Sequence, residues 1–300
     1  MPDLETLLPL LRCPRSRGAL RRDGDVLRTE DGRFAYPIAM GIPDLRWPPE
    51  RLALDLAWRE PWDALDRLVI DPPAPLYSPD LPYHLDAHLA GVAGAEGLGR
   101  RILEVGCGER LCERWFAPRG FEYVGTDFDV RGVGPHFRSD AHNLPVADAS
   151  FDLCVSLAVY EHLLVPLVAA REAFRVLRPG GTFFGSAAFV FGFHDRASFH
   201  HMSHAGLLWT LESAGFRVER IWPDWPYPNA IAQMGFRGVP GLPWRVMTRG
   251  FLAVTEWSFV AASNAARRLA GKPLLDARAR RLETAGSLSF IAHKAAEPAT

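Results

Sequence analysis

The sequence predicts an α/β protein with a doubly wound, mostly parallel sheet, preceded by a small α+β unit. From about residue 83 onward, short apolar strands alternate with helical patterns, which is typical of strand–helix–strand units with parallel strands. Residues 1–47 differ: the short apolar helix LETLLPLL is followed by short strands with turns at Asp23-Gly24 and Asp31-Gly32. Residues 48–82 between them are dense in proline, which indicates a connector, with one helix expected near 52–68.

Composition excludes several classes of protein. The 300 residues are 48% hydrophobic and 23% charged, and the net charge of −1 gives no basic field for nucleic acid, so that partner is disfavoured. The four cysteines form no C-x-x-C pair, and the N-terminus resembles no secretory signal, so we expect a cytoplasmic protein. Charged and polar residues interrupt the most apolar stretch, 251–262, which disfavours a transmembrane segment.

The elements of the main domain, 83–300, follow from hydrophobic periodicity and from cap residues. Pro166 suits a first helical turn, Gly180 is expected to stop that helix, and Ser203 is expected to cap the next one, which Gly215 ends. We predict helices at 84–92, 111–117, 165–177 and from Ser203, and strands at 101–105, 122–126, 136–139, 151–156, 181–186, 216–221 and 288–293.

A glycine turn after the first predicted strand is the first functional signal. In ILEVGCGER, residues 102–110, an apolar strand runs into a turn that opens a helix. Gly106 and Gly108 let the backbone turn tightly and approach a ligand closely. Because ligands of open α/β sheets bind at the carboxyl ends of the strands, this turn is a candidate site, although an ordinary tight turn has the same pattern.

Acidic residues end the next two strands. Asp127 lies 23 residues after Glu104, near the separation at which a carboxylate accepts hydrogen bonds from ribose hydroxyls. A cap or turn role is the alternative for Asp127, and Asp129 could take it instead. Asp140 ends the third strand, where it could accept from an adenine amine.

Together these landmarks resemble the class I S-adenosyl-L-methionine (SAM)-dependent methyltransferases, in the branch related to ubiquinone-biosynthesis C-methyltransferases. The motifs are ILEVGCGER, YVGTDFD, SDAHNLPVADASFDLCVS and EHLLVPLVAAREAFRVLRPGG, within residues 98–221. The resemblance implies a seven-stranded sheet with one antiparallel strand, and SAM as the cofactor. One departure is Arg110, which stands where many members have a third glycine or a small residue. Its side chain is expected either to point to solvent or to crowd the cofactor.

The resemblance also implies which residues bind SAM. The glycine loop would surround the methionine part, and Asp127 would bind the ribose. Asp140, with the backbone of Ala141, would hold the adenine. Ser156 and Leu157 would face the methionine ammonium. The full implied set is Glu104, Gly106, Cys107, Gly108, Asp127, Phe128, Asp140, Ala141, Ser156 and Leu157.

The N-terminal unit resembles the Trm112-type small domain, through CPRSRGAL and FAYPIAMGIPDL. This domain is known with and without zinc, and zinc-bearing members have a second cysteine soon after the first Cys-Pro. Here Arg15 and Ser16 stand in that region and Cys13 is the one cysteine before Cys107, so we expect a zinc-free unit. Packing and partner contact are its expected uses, and a folding appendage is the alternative.

Histidines are the candidate residues for the part of the site that would hold the methyl acceptor. His162 follows the fourth predicted strand, and HDRASFHHMSH lies in a segment, 187–205, that covers the acceptor in similar methyltransferases. We take His162 and then His201 as candidate general bases or acceptor-orienting groups. Histidine and aspartate also bind metals, but the irregular spacing of the loop favours surface and capping histidines, so no metal ligand is predicted.

A long insertion, 222–285, precedes the last predicted strand. Trp222, Trp225 and Tyr227 could wall an apolar acceptor pocket, or they pack the insertion onto the core. For the mostly apolar helix 251–269 we favour core packing or a homodimer over membrane contact. The expected function is methyl transfer to a small-molecule acceptor through O, N or C. The alternatives are an RNA or protein methyltransferase that holds substrate with its N-terminal unit, and a non-catalytic partner protein.

Overall fold

The computed structural model describes residues 3–50, 81–82, 85–94, 97–195, 198–225, 228, 230–231 and 242–296. The connector helix predicted near 52–68 lies outside these residues, and so does Tyr227. Within the described part, the chain forms one four-stranded antiparallel sheet and one seven-stranded sheet.

The N-terminal sheet is a meander, because each strand pairs antiparallel with the next along the chain. Helix α1 (Leu4–Leu7) precedes it, and Asp3 caps this helix by accepting a hydrogen bond of 2.8 Å from the backbone N–H of Thr6. Gly24 has φ +60° in the first predicted turn. The strands are β1 (Leu20–Asp23), β2 (Val26–Thr29), β3 (Ala35–Ala39) and β4 (Ile42–Pro43).

The main sheet has the order β10-β11-β9-β8-β5-β6-β7, and only its β11 strand runs antiparallel to its neighbours. The predicted doubly wound, mostly parallel, seven-stranded sheet is therefore confirmed. Its strands are β5 (Arg101–Val105), β6 (Glu122–Asp127), β7 (Phe137–Arg138), β8 (Phe151–Leu157), β9 (Leu177–Ala188), β10 (Arg217–Trp225) and β11 (Ser287–His293).

Helices lie between the strands as the periodicity predicts. Ser203 caps its helix by accepting a 3.2 Å hydrogen bond from the N–H of Gly206, and Gly215 follows the helix with φ +109°. The described helices of the main domain are α2 (Ala87–Val92), α3 (Glu113–Phe116), α4 (Pro166–Val176), α5 (His204–Ser213), α6 (Leu242–Leu269) and α7 (Ala277–Thr284).

The end of α4 corrects the sequence prediction. The helix ends at Val176, and β9 begins at Leu177 and includes Gly180, so the prediction that Gly180 stops the helix is wrong. Leu177 is already extended, with ψ 141°. Pro179 disfavours a helical conformation at the residue before it, which keeps this segment extended.

Strand β10 is also longer than predicted, and it continues through Trp225, so the insertion begins after this residue and not at 222. Trp222 is fully buried, and its indole N–H donates a 3.1 Å hydrogen bond to Oδ2 of Asp86, which also caps α2. The expectation that Trp222 walls an acceptor pocket is therefore wrong. This side chain holds α2 against the sheet.

The N-terminal unit covers one edge of the main sheet. Asp44, just after β4, forms a parallel bridge with Arg138 of β7, and the N–H of Leu45 donates to the Arg138 carbonyl at 3.0 Å. The Asn143 amide donates to the carbonyls of Pro14 and Trp47, at 3.0 and 2.8 Å. The unit therefore satisfies backbone groups of a strand that would otherwise be an open edge.

Cys13 is buried beside the Tyr36 hydroxyl, with 3.1 Å between sulfur and oxygen, and the Ser16 N–H donates to the sulfur at 3.3 Å. We expect Cys13→Ser to leave the metal content of the purified chain unchanged, because no second cysteine accompanies Cys13. Cys13→Ala should lower the free energy of unfolding by about 1–3 kcal/mol, because it leaves the Tyr36 hydroxyl without this partner. Elemental analysis and denaturant unfolding measure both effects, and one equivalent of zinc lost in both variants would overturn the zinc-free assignment.

Helix α6 begins nine residues before the predicted start, and it leaves large apolar side chains in solvent. Phe251 is 68% exposed and Trp257 is 72% exposed, so core packing is the wrong expectation for this face, and a dimer contact stays a prediction. Among the described helices, none has the length and hydropathy that a membrane crossing requires.

Candidate functional site

The glycine loop follows β5 directly. Gly106 has φ +78° and Gly108 has φ +51°, a region of backbone conformation that favours glycine. A Cβ atom at Gly106 would overlap the side chain of Val159, whereas one at Gly108 would meet no atom within 4 Å. Gly106 therefore allows close packing, and the surface of Gly108 is open to a ligand.

Asp127, at the end of β6, holds this loop in place. Its Oδ2 accepts a 2.8 Å hydrogen bond from the N–H of Gly108, and its Oδ1 accepts a 3.0 Å bond from the N–H of Asp129. A carboxylate oxygen can accept two hydrogen bonds, so each oxygen keeps capacity for a ligand. Phe128 beside it is 53% exposed. Asp127 therefore accepts backbone N–H groups in the turn, the role that the sequence left open as its alternative, and its binding of ribose stays a prediction.

Arg110 has φ +55°, in the backbone region that a third glycine would suit. Its side chain is only 9% exposed, so the expectation that it points to solvent is wrong. Its Nη1 lies 2.7 Å from Nε2 of His136 and 3.3 Å from Oε2 of Glu113. These two partners hold the guanidinium on their side of the loop, and the space beside Gly108 stays open.

Glu104 is buried in β5, where its carboxylate accepts a hydrogen bond from the Tyr123 hydroxyl. This hydrogen bond links β5 to β6 inside the domain. Burial is the main cause that raises the pKa of Glu104 to about 7; the nearby charges of Asp127 and Glu113 act in the same direction, and hydrogen bonds from Tyr123 and Cys112 oppose the shift.

A pH dependence of stability follows from Glu104. Between the ordinary pKa of 4.5 and the folded value of about 7, the folded chain binds more protons than the unfolded chain, so the free energy of unfolding falls as pH rises. Glu104→Gln keeps the acceptor for Tyr123 and removes this titration. We expect the stability of the unchanged chain relative to the variant to fall by about 3 kcal/mol across this window. Denaturant unfolding at several pH values measures it, and parallel pH profiles would contradict it.

Asp140 and Ala141 follow β7. Oδ1 of Asp140 accepts hydrogen bonds from the backbone N–H and from Nδ1 of His142, at 2.9 and 2.6 Å. Nε2 of His142 in turn accepts from the N–H of Val165 at 3.1 Å. Burial opposes ionisation, but the hydrogen bonds from His142 outweigh it and lower the pKa of Asp140. This carboxylate is therefore ionised and fixed in orientation.

The end of β8 approaches the glycine loop. The hydroxyl of buried Ser156 donates to the carbonyl of Val105 at 3.0 Å, which ties β8 to β5, and Leu157 beside it is also buried. Ala158 comes next with φ +52°, a strained conformation for a residue other than glycine. Such strain clusters at functional sites, and sequence reasoning missed it because alanine carries no turn signal.

The candidate acceptor residues meet just beyond Ala158. His162 ends a 3₁₀ turn, Tyr160–His162, and the carbonyl of Glu161 accepts hydrogen bonds from the N–H groups of Phe199 and His200, at 2.7 and 3.1 Å. The covering loop is thereby fixed over the turn. The ring centres of His162 and His194 are 5.0 Å apart, and those of His194 and His201 are 5.8 Å apart. The two predicted candidates, His162 and His201, thus both lie near His194.

Glu161 and His194 are the residues that the site prediction missed. The Glu161 side chain is 2% exposed, and its Oε1 lies 3.7 Å from Nε2 of His194. This carboxylate raises the pKa of His194. On the other side, Nε2 of His162 lies 3.6 Å from Oδ2 of Asp195. The adjacent Glu161-His162 pair after a buried strand is the signal that could have drawn attention to Glu161.

Comparison with known proteins finds methyltransferases that are similar to part of the main domain. A family described as "Methyltransferase domain" matches residues 103–185. An "Uncharacterized methyltransferase" of Mycobacterium sp. (strain JLS) is 36% identical over 119 residues, which cover 36% of this chain and 47% of that relative. A "Probable S-adenosylmethionine-dependent methyltransferase" of Mycolicibacterium smegmatis is 36% identical over 142 residues, covering 40% of this chain and 53% of the relative. The chain thus spans about half the length of these relatives.

Two solved structures are also similar. One is the complex between the Haloferax volcanii Trm112 methyltransferase activator and a methyltransferase, with 19% identity, a TM-score of 0.46, and coverage of 70% of this chain and 88% of that chain. The other is an S-adenosylmethionine-dependent methyltransferase from Mesorhizobium loti, with 19% identity, a TM-score of 0.42, and coverage of 68% and 95%. The family match covers residues 103–185, and the mostly parallel, seven-stranded sheet is the fold of class I methyltransferases, so this part of the chain is similar to SAM-dependent methyltransferase domains.

Proposed function

We propose that this chain transfers the methyl group of SAM to a small-molecule acceptor. One observation carries the proposal. The glycine loop, Asp127 and the turn that contains His162 follow three adjacent parallel strands, β5, β6 and β8, at their carboxyl ends. A ligand of a doubly wound sheet binds at this edge, where all three groups can contact it.

The residues present fit SAM. Gly108 offers open space where a side chain would stand, and Asp127 keeps acceptor capacity for ribose hydroxyls. We assign the ribose to Asp127, the adenine to Asp140 with Ala141, and the methionine part to the loop at Gly106–Gly108 and to the backbone after Ser156. Glu104 is buried in the strand that leads into this loop.

When bound, SAM supplies a methyl group on a sulfonium centre, which is a good leaving group. The protein therefore has mainly to align the acceptor with that methyl group and to exclude water. His162 and His201 are the candidates to orient the acceptor or to take its proton. Two backbone hydrogen bonds to the Glu161 carbonyl hold the covering loop against the turn that contains His162.

A small and partly aromatic acceptor fits the covered site best. Phe191 contacts His194 and Trp225, with ring centres 4.9 and 5.5 Å apart, so one aromatic wall adjoins the histidines. The net charge of −1 also gives no general attraction for RNA. These features support a metabolite as the acceptor over a polymer.

The proposed organisation keeps the divisions of the sequence analysis. Residues 1–47 form a Trm112-like, zinc-free unit, residues 48–82 a connector, and residues 83–300 the methyltransferase domain with its covering loop. Helix α6 is the proposed contact of a homodimer. The ubiquinone-biosynthesis branch remains our proposal for the nearest group of enzymes.

Two measurements on the full chain test the function. Titration calorimetry should detect SAM binding to one site. An assay that follows S-adenosylhomocysteine release should respond to a pool of small metabolites and not to RNA or protein pools. Release with RNA or protein alone would overturn the small-molecule acceptor, and a folded chain that binds no SAM would overturn the enzyme assignment.

A further inference from the structure

Three potential metal ligands converge beside the proposed acceptor site. One ligand atom each from Glu161, His162 and His194 lies within 4.8 Å of the others, as one carboxylate oxygen and two imidazole nitrogens. Glu161 and His162 come from the turn after β8, and His194 comes from the covering loop. The spacing of histidines within the loop alone predicts no metal ligand. The fold brings the turn after β8 next to this loop, and the turn supplies two of the three ligands.

The orientation of His194 suits a metal ligand. Its Nδ1 lies 2.9 Å from the carbonyl oxygen of Gly192, and a carbonyl can only accept, so Nδ1 carries the proton. In the neutral ring, Nε2 then presents a lone pair, and this atom faces Oε1 of Glu161 at 3.7 Å. Metal-bound histidines are commonly fixed in this way, with the second ring nitrogen donating to a backbone carbonyl.

The buried carboxylate of Glu161 favours a cation beside it. Its side chain is 2% exposed, and its Oε2 is buried without a hydrogen-bond partner among the described residues. A buried carboxylate is costly unless it is paired or coordinated. Nε2 of His201 is likewise buried without a hydrogen-bond partner in the described part of the chain, and its ring lies 5.8 Å from that of His194. Two unsatisfied polar atoms therefore border the same cluster.

We propose that Glu161, His162 and His194 bind one divalent transition-metal ion. Imidazole with one carboxylate suits Zn²⁺, Fe²⁺ or Co²⁺ better than Mg²⁺ or Ca²⁺, which prefer all-oxygen sites. Ligands at about 2.1 Å from a tetrahedral ion lie about 3.4 Å from one another. The 3.7 Å pair is close to this separation, and the largest separation, up to 4.8 Å, would have to shorten by about 1.4 Å.

The site also indicates the chemical class of the acceptor, an inference that rests on the proposed function. Three protein ligands leave a coordination position open, as in catalytic metal sites. That position would hold an acceptor through an oxygen atom, such as a hydroxyl or a carboxylate. Asp195 adds a second carboxylate beside His162, at 3.6 Å, which further favours a cation over an anion at this point.

Cobalt is the probe that tests the metal site. The full chain, freed of metal by a chelator, is titrated with Co²⁺ and followed by visible absorption. We expect one equivalent to bind, to be displaced by Zn²⁺, and to show no sulfur-to-cobalt charge-transfer band, because the ligands are nitrogen and oxygen. Glu161→Ala and His194→Ala should each weaken Co²⁺ binding by about a hundredfold or more, since even groups behind the ligands contribute ten- to a hundredfold.

His200→Ala is the matched control, because His200 lies in the same loop and its ring contacts the Leu164 carbonyl instead. It should bind Co²⁺ as the unchanged chain does. Failure of the unchanged chain to bind Co²⁺ would overturn the metal site even if a variant fails to fold, and so would equal losses in His200→Ala and His194→Ala. SAM calorimetry on the same samples separates the proposals: SAM binding without Co²⁺ binding refutes the metal alone, and Co²⁺ binding without SAM binding refutes the proposed function.

Discussion

Asp127→Ala should bind SAM ten- to a hundredfold more weakly than the unchanged chain. The carboxylate ends β6 beside the glycine loop, and each of its oxygens keeps capacity for one more hydrogen bond. Charge-assisted hydrogen bonds to ribose hydroxyls contribute about 1.5–3 kcal/mol, which corresponds to roughly that loss of affinity. Titration calorimetry with SAM measures it directly.

Asp127 also fixes the N–H of Gly108, so part of the loss could come from a disordered loop. Asp127→Asn separates the two causes, because the amide oxygen can still accept from Gly108 while the charge is gone. Asp129→Ala is the matched control, since Asp129 interacts with Asp127 through its backbone N–H. An unchanged SAM affinity in a folded Asp127→Ala chain would refute the ribose assignment.

The parts of the fold that could be read from the sequence are those that local pattern determines. Strand β5 was predicted at its observed bounds because a short apolar run ends at a glycine turn. The start of α4 at Pro166 and the cap of α5 at Ser203 follow from residue types with one strong positional preference. The position of Asp127 followed in the same way, as the residue that ends a buried strand.

Predictions were wrong where contacts between distant parts of the chain determine the environment of a side chain. Nothing local distinguishes a tryptophan in a pocket wall from one whose indole binds a buried carboxylate, and the partner of Trp222, Asp86, lies 136 residues away. Arg110 is a similar case, because its burial depends on His136 and Glu113 together. The α4 boundary failed for another reason, since Gly180 is a strong helix stop but Pro179 acts on the residue before it.

The acceptor site shows the same division between local pattern and fold. His162 and His201 were identified from their positions after a strand and in a covering loop. Their connection through His194 and Glu161 could not be identified, because it requires the loop to fold back onto the turn. Backbone N–H groups of the loop donate hydrogen bonds to the Glu161 carbonyl and so hold the loop against the turn. Every residue except proline carries such an N–H group, so residue type does not reveal this contact.

The largest effect is expected at His162. His162→Ala should bind SAM with unchanged affinity, because the residue lies in the turn beyond β8 and not at the glycine loop or Asp127. Turnover on the true acceptor should fall about a hundred- to ten-thousandfold, the usual contribution of a positioned general base. Single-turnover release of S-adenosylhomocysteine, with SAM calorimetry on the same sample, measures both quantities.

The same variant distinguishes two ways in which His162 can act. If it takes the proton of the acceptor directly, turnover falls while Co²⁺ binding persists; if it acts as a metal ligand, both are lost together. His200→Ala should retain turnover, because the His200 ring of the unchanged chain contacts the Leu164 carbonyl outside the cluster. Full turnover in His162→Ala would exclude His162 both as the general base and as a ligand of a metal that turnover requires, and Co²⁺ titration alone would then decide whether it binds metal. A defect in His201→Ala alone would then assign the chemistry to the covering loop, and full turnover in both variants would leave alignment by the pocket as the source of catalysis.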